Sequence, residues 1–505
     1  MIPVSPQAAW SAAPSAPAAG YRADRVAFAL LAAALAVALG TRLWLSAHLP
    51  LADTTEARYA EIVRVGLEHG FWLMPHATAT EPFFAKPPAS TWLSMLSATV
   101  FGATEAMIRL PSLLLMAAIA VLCARLATRE SGAAPHAGLW AAAVVLLSPL
   151  GLVMAGAVMT DAVHLFAVTA AMAGATAVVA GDGRLRARGL YLFWIAIGAG
   201  TLAKGLATVA LSVLPLALYG LVTRRPFALA RTFLAPGPIV AAVLVALPWY
   251  VAAEIAYPGF LKYFIVGEHL QRFLEPGWQG DRYGTAHREA IGTIWLYATA
   301  AFGPWLLAAA AAAFFAWRRP AAGSAYAPGA IGLGWWACWV LAPLLMFTFA
   351  RNIIWTYAAT ALPPLAVALG VLLARSPTRR AVAGVALAWT VALASAAPWA
   401  LGAVSLNSAR TLIAATPSVD PQGTLPLTVP GRMRFSGAFY SKGRACVAFN
   451  AASEAACEAA SGGAGLRILT VDDARRMVAS GLAEQVATDG RHALVLRPPR
   501  NGTPK

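Results

Sequence analysis

Charge is scarce in this chain. Only 12% of its 505 residues are Asp, Glu, Lys or Arg, against 59% hydrophobic residues. A soluble fold has no way to hide that much apolar surface, so the composition excludes a water-soluble globule and indicates a polytopic membrane protein. Acidic residues are scarcer still, 22 against 38 basic ones, giving a net charge of +16. That balance would suit a nucleic-acid partner, but the arginines are dispersed through short loops between apolar runs, which argues for no nucleic acid. Cysteine is nearly absent. Of the four, Cys123 and Cys338 lie in apolar runs as packing residues, whereas Cys446 and Cys457 share the polar tail. Those two can pair if their compartment oxidises, although spacing alone does not establish it. The first 20 residues lack an early basic cluster and are rich in Ala, Pro and Ser. Residues 1–24 therefore read as a disordered cytoplasmic tail, with no cleavable signal peptide evident.

Apolar runs of bilayer-spanning length recur through residue 401. They predict spans near 26–47, 106–124, 137–157, 161–180, 190–203, 205–222, 234–254, 292–316, 329–349, 354–374 and 381–402. Arg22 and Arg25, Arg125 and Arg129, Arg184 to Arg188, Arg224 to Arg231, Arg318 and Arg319, and Arg375 to Arg380 fall at alternate ends of these runs. The positive-inside rule is satisfied everywhere by about eleven crossings, with the N-terminus in the cytoplasm and everything after residue 402 outside. It also makes 88–103 a juxtamembrane helix, because a crossing there would put the Arg125 and Arg129 loop on the wrong side. The expected organisation is a transmembrane domain over 25–402, with outer loops at 48–105 and 255–290, followed by a small α/β domain over 403–505. In that domain 437–449 alternates like a strand pair around a glycine turn, and 466–478 reads as a strand entering a helix capped by Asp472 or Asp473.

This topology sorts the polar residues onto one face. Asp53, Glu56, Arg58, Tyr59, Glu61, Glu81 and Lys86 lie in the first outer loop; Asp161 and Lys204 lie at outer ends of hairpins. The second outer loop brings Glu268, His269 and Arg272, and the turn before 354–374 brings Arg351, Asn352 and Tyr357. An ionisable residue at membrane depth is a functional candidate by default. Each also has a plainer explanation: Lys86 can snorkel to the headgroups, and Asp53, Thr54, Thr55 and Asp161 can be helix caps. Glu56, Arg58 and Glu61 can be one solvated helix face. Six separate loops converging on one face, and prolines at 87 and 88 that aim Lys86, weigh toward function. A polytopic transporter or lipid flippase is the alternative class, but its charges would gather at the bilayer midplane and internal repeats would be expected.

The ordered set Glu56-Ala-Arg-Tyr-Ala-Glu61, Trp72 to His76, Lys86-Pro-Pro, Arg109-Leu-Pro-Ser112, Thr201 to Gly205, Glu268 to Phe273 and Arg351 to Tyr357 resembles the aminoarabinose transferase and protein mannosyltransferase family. The resemblance covers 26–375 and, more loosely, 439–444. It implies the C-type glycosyltransferase fold and an inverting transfer of sugar from a polyprenyl-phosphate carrier. The resemblance also implies that the acceptor is lipid A, another envelope glycan or a protein, and that the reaction runs on the periplasmic side of a bacterial inner membrane. Such a transfer needs a general base, for which Asp53, Glu56 and Asp161 are the candidates, Asp53 first. It needs cations and donors for the departing phosphate, a role suited to Lys86, Lys204, Arg272, Arg351 and Tyr357, with Arg58, Tyr59 and His269 as further substrate contacts. A divalent metal is not obligatory because no nucleotide diphosphate leaves; Glu81 and His269 are the candidate ligands.

The chain departs from the family pattern in three places. Thr55 stands where the first member of an acidic pair is usual, so the base stays open between Asp53 and Glu56. Ala85 replaces an acidic residue before Lys86-Pro-Pro, and Ile353 replaces a lysine, leaving Arg351 as the cation there. These departures point to a sister subgroup.

Overall fold

Long apolar segments take up helix because only a helix satisfies every backbone hydrogen bond within itself in lipid. The computed structural model describes residues 24–134, 136–181, 183–284, 287–318, 331–460 and 464–498. The expected tail lies outside the described residues except for Asp24. The first nine helices are α1 (Arg25–His48), α2 (Thr55–His69), α3 (Ala89–Phe101), α4 (Glu105–Glu130), α5 (Ala137–Leu147), α6 (Pro149–Met154), α7 (Asp161–Val179), α8 (Gly183–Lys204) and α9 (Leu206–Val222).

Among the described residues, six helical segments are long and apolar enough to cross a membrane singly: α1, α4, α7, Pro236–Ala256, Trp355–Arg375 and Arg379–Ser405. Thr293–Phe302 and Pro304–Ala311 make a further span only as a pair bent by 90°. The protein is therefore a multi-pass membrane protein, but the expected eleven crossings are not all met by single unbroken helices. The 137–157 span is split into α5 and α6, because Ser148 caps the Gly151 N–H at 3.0 Å and Pro149 starts a new helix at its first position. The segment expected to be juxtamembrane is α3, whose 13 residues rise only about 20 Å. It is pinned to α4 by the Ser94 and Ser97 hydroxyls, which donate to the Ile108 and Met107 carbonyls at 3.1 and 2.6 Å. Close helix approach is set by small residues. A Cβ on Gly174 of α7 would lie 2.5 Å from the Gly189 carbonyl of α8, so this hairpin packs backbone to backbone.

The C-terminal domain is a five-stranded sheet, β1 (Leu427–Pro430), β2 (Ala445–Ala448), β3 (Gly465–Thr470), β4 (Glu484–Thr488) and β5 (His492–Arg497), in the order β2-β1-β3-β5-β4. β1 runs parallel to β2 and β3, and β5 antiparallel to β3 and β4. Two local expectations are corrected. Residues 437–440 are not a strand but the end of a short helix, Arg434–Tyr440, which crosses from β1 to β2 and packs on α2. The helix Val471–Ala479 is capped by Thr470, whose hydroxyl accepts the Asp473 N–H at 3.2 Å, and not by an aspartate. Cys446 and Cys457 form a disulfide tying β2 to the following helix, while Cys123 and Cys338 are buried and free.

Arg109 organises the turn between α1 and α2. It is 1% exposed, and its five N–H donors all find acceptors: both Glu56 oxygens at 2.8 and 2.9 Å, and the carbonyls of Ser46, Leu49 and Pro50 at 3.2, 2.6 and 3.3 Å. Removing it leaves a largely buried carboxylate without its cation, which costs about 3–5 kcal/mol. Arg109→Met should lower the thermal unfolding midpoint in detergent markedly; an unchanged midpoint would show that the turn is held by something else.

Candidate active site

Four separated segments bring charge to one end of the bundle. Lys86 precedes the two prolines that lead into α3, and its Nζ meets Glu268 Oε2 at 3.1 Å and the Ala85 carbonyl at 2.7 Å. Glu268 belongs to a π-type helix, Lys262–Gln271, whose wide turn is a common functional irregularity. Its carboxylate also takes Arg272 Nη1 at 3.0 Å and the Tyr263 hydroxyl at 3.1 Å, and Arg272 reaches Asp281 at 3.2 Å. Burial pushes the Glu268 carboxyl up, but the Lys86 and Arg272 cations overcome it and hold it below its ordinary value. Burial likewise pushes Lys86 down, and Glu268 more than restores it. All three groups are therefore charged at neutral pH.

Alongside sits a second pair, Lys204 Nζ and Asp161 Oδ1 at 2.8 Å. Gly205 adopts φ +61° and ends α8 at Lys204, and a Cβ there would lie 2.7 Å from both the His269 and Phe264 rings. Only glycine fits. His269 Nε2 faces the Lys204 carbonyl at 3.0 Å and its Nδ1 the Phe264 carbonyl at 2.8 Å, so this imidazole anchors the π-type helix to α8. The Tyr357 ring lies 5.2 Å from Lys204 Nζ, a cation–π contact, and Tyr357 is also in electrostatic range of Lys86 and Arg272. Tyr59 is likewise in electrostatic range of Lys86 and lines a shallow cleft with Ser90, Thr91, Ser94, Ser112 and Val158, between α2, α3, α4 and the approach to α7.

Other sequence candidates lie elsewhere. Asp53 is turned to the C-terminal domain, accepting the N–H groups of Phe435 and Ser436, and is not among the partners of Lys86, Lys204 or Arg272. Glu56 is held by Arg109 and by the Val158 N–H at 3.2 Å. Arg58 donates to the Tyr283 carbonyl at 2.6 Å and lies 5.4 Å over the Phe435 ring. Arg351 is exposed and donates to the Glu289 carbonyl at 3.2 Å. Glu81 is exposed, and with both His269 nitrogens facing carbonyls the two do not form a metal centre; among the described residues no group of three or more His, Cys, Asp or Glu could hold a metal ion. Sequence reasoning missed Tyr263 and Asp281, which complete the Glu268–Arg272 network, and Tyr283, whose hydroxyl donates to the Pro82 carbonyl at 2.7 Å and accepts the Phe84 N–H at 3.0 Å. Nothing in their spacing signals these contacts, because they depend on the π-type turn and on the fold of the loop after it.

Glu268→Gln removes the counter-charge shared by Lys86 and Arg272, and its stability loss should be about 3–5 kcal/mol at neutral pH. Because the folded-state value is depressed, the contribution of Glu268 is present in full above the unfolded-state carboxyl value of about 4.3 and fades as the pH falls below it. Thermal unfolding of the variant and wild type should therefore converge in acid; equal midpoints at pH 7 would refute the network.

Residues 25–264 match the family model described as dolichyl-phosphate-mannose-protein mannosyltransferase. The undecaprenyl phosphate-alpha-4-amino-4-deoxy-L-arabinose arabinosyl transferase of Serratia proteamaculans is 30% identical over 328 residues, covering 62% of this chain and 53% of that protein. Its counterpart from Yersinia enterocolitica is 31% identical over 322 residues, covering 62% and 53%. The chain thus spans about half the length of the curated relatives it matches. The crystal structure of ArnT from Cupriavidus metallidurans bound to undecaprenyl phosphate superposes with a TM-score of 0.69 at 18% identity, over 94% of this chain and 99% of that one. The apo form of the same protein gives 0.67 at 20% identity, over 93% and 98%. The shared fold is the C-type glycosyltransferase fold. The chain thus shares that fold over nearly its whole length and is similar in sequence to the mannosyltransferase family model from residue 25 to 264.

Proposed function

We propose that the protein is an inverting glycosyltransferase that moves a sugar from a polyprenyl-phosphate carrier to a hydroxyl- or amine-bearing envelope acceptor. The observation that carries this reading is the convergence of Lys86, Lys204, Arg272 and Tyr357 on two buried carboxylates at one end of an apolar bundle. A lipid-linked phosphate needs such an arrangement, cations at membrane depth next to lipid-facing helices. The relatives named above, described as acting on an undecaprenyl-phosphate sugar, support the donor class. In the transfer, the bond between the anomeric carbon and the carrier phosphate breaks while the acceptor atom bonds to that carbon from the opposite face. Asp161 takes the acceptor's proton, and the carrier leaves with the bonding electrons as a phosphate monoester. Among the three carboxylates considered, Asp161 alone lies within this cluster, which favours it as the base.

The site is proposed to face the periplasm of a bacterial inner membrane. The short arginine-bearing loops favour that orientation, and a disulfide in the C-terminal domain suits an oxidising compartment. An impermeant thiol reagent should label a cysteine introduced in the C-terminal domain of intact spheroplasts; labelling only after permeabilisation would reverse the orientation.

Asp161→Asn should reduce transfer by roughly 10²–10⁴-fold while leaving carrier binding in nanodiscs largely intact. Lys86→Ala should weaken binding of a polyprenyl-phosphate sugar by one to two decades, the loss of one charge-assisted contact worth about 1.5–3 kcal/mol. Equal donor affinity in wild type and Lys86→Ala would remove Lys86 from the phosphate site.

A further inference from the structure

The loop between α1 and α2 is fastened to the C-terminal domain by contacts that the chemistry above does not use. Both Asp53 oxygens are committed there, accepting the Phe435 N–H at 3.0 Å and the Ser436 N–H at 2.9 Å in the first turn of the helix Arg434–Tyr440. At the other end of that helix the Tyr440 hydroxyl accepts the Leu51 N–H at 2.8 Å and donates to Glu105 at 3.1 Å. Arg410 donates to the His48 carbonyl at 2.9 Å, and the Asp53 N–H donates to the Asn407 carbonyl at 3.0 Å. Arg434 and Arg58 lie 4.5 and 5.4 Å over the Phe435 ring.

The opposite side of the same loop is held by Arg109, which binds the Ser46, Leu49 and Pro50 carbonyls and both oxygens of Glu56. Glu56 in turn accepts the Val158 N–H at 3.2 Å, and Val158-Met159-Thr160 leads directly into Asp161. Charge-assisted contacts, joined by the short backbone stretches 50–53 and 158–161, therefore lead from the C-terminal domain to the residue read as the base. Such contacts are short, directional and about twice as strong as neutral ones, so they transmit position.

We propose that Asp53 is a positioning residue: by clasping the helix Arg434–Tyr440 it seats the C-terminal domain on the α1–α2 loop and, through Arg109, Glu56 and Val158, sets the placement of Asp161. Tyr440 is the second half of the clasp. The role assigned to Asp161 rests on the functional reading above; the clasp itself rests only on the contacts just given. A positioning role differs from a catalytic one in a way that can be measured, because it is shared with a residue far from any proton to be moved.

The test uses full-length protein in nanodiscs, with Asp53→Asn and Tyr440→Phe. Three quantities are read: affinity for polyprenyl phosphate alone, kcat and KM for sugar transfer, and amide hydrogen exchange at residues 49–56 and 156–161. Asp53→Asn should lower kcat roughly tenfold to hundredfold and Tyr440→Phe about threefold to tenfold, with KM and carrier affinity within about twofold of wild type. Exchange should accelerate in both segments in both variants. Asp53→Asn that abolishes transfer beyond about a thousandfold with exchange unchanged, while Tyr440→Phe is fully active, would make Asp53 the base and overturn the proposal. Unchanged exchange at 156–161 in both variants would overturn it too. If Asp53→Asn does not fold, Tyr440→Phe decides on the same readouts. A wild type that binds no carrier sinks the functional reading instead, and the exchange measurement still decides the clasp.

Discussion

One carboxylate shared by two cations underlies the arrangement of the site. Glu268 has a side chain only 2% exposed, and a lone charge so placed would cost several kcal/mol of lost hydration. Lys86 and Arg272 offset that cost only if the first loop and the π-type helix dock at close range, so the ion triad dictates how two distant segments meet. Apolar packing then seals the contact. Phe83 and Phe84 from the first loop pack on Tyr283 and Phe260 from the second, at ring separations of 4.6 and 5.6 Å. The aromatic wall lowers the local dielectric, which strengthens each pair inside it and penalises any charge left unpaired.

Backbone irregularities do the aiming. An uninterrupted α8–α9 helix would bury the Lys204 carbonyl in its own ladder, whereas the break at Gly205 releases it to His269. The wider turn of Lys262–Gln271 presents Glu268 to Lys86, Tyr263 and Arg272 together. Both are departures from regular helix at the site, where such departures concentrate.

What was legible in the sequence follows from what local pattern can encode. Lys86, Lys204, Arg272 and Tyr357 stand in short motifs beside prolines, glycines or helix ends, and the structure brings them to one end of the bundle. The multi-pass character was legible because lipid imposes a length on apolar runs; the break at Ser148-Pro149 was not read, since its flanks are as apolar as a continuous helix. The partner of Asp53 lies 382 residues away, and no local signal announces it. A carboxylate before a helix reads as that helix's cap, yet Asp53 serves the first turn of a helix in another domain. The segment 437–440 was misread for a similar reason: apolar residues next to a glycine turn suit a strand, but here they end a seven-residue helix that packs on α2 and β1.

Charge balance links the two ion clusters to the proposed chemistry. Three cations, Lys86, Arg272 and Lys204, face three carboxylates, Glu268, Asp281 and Asp161, so these six charges cancel. A sugar-bearing carrier phosphate is a diester with one negative charge, and the departing monoester tends toward two. In the proposed transfer the additional charge appears as the acceptor's proton reaches Asp161. Protonation neutralises that carboxylate and weakens its hold on Lys204, which is then free to turn to the phosphate. The base and the clamp are thus coupled through one 2.8 Å contact. The cation becomes available at the step where negative charge develops, which is when electrostatic stabilisation lowers a barrier and not merely a binding constant.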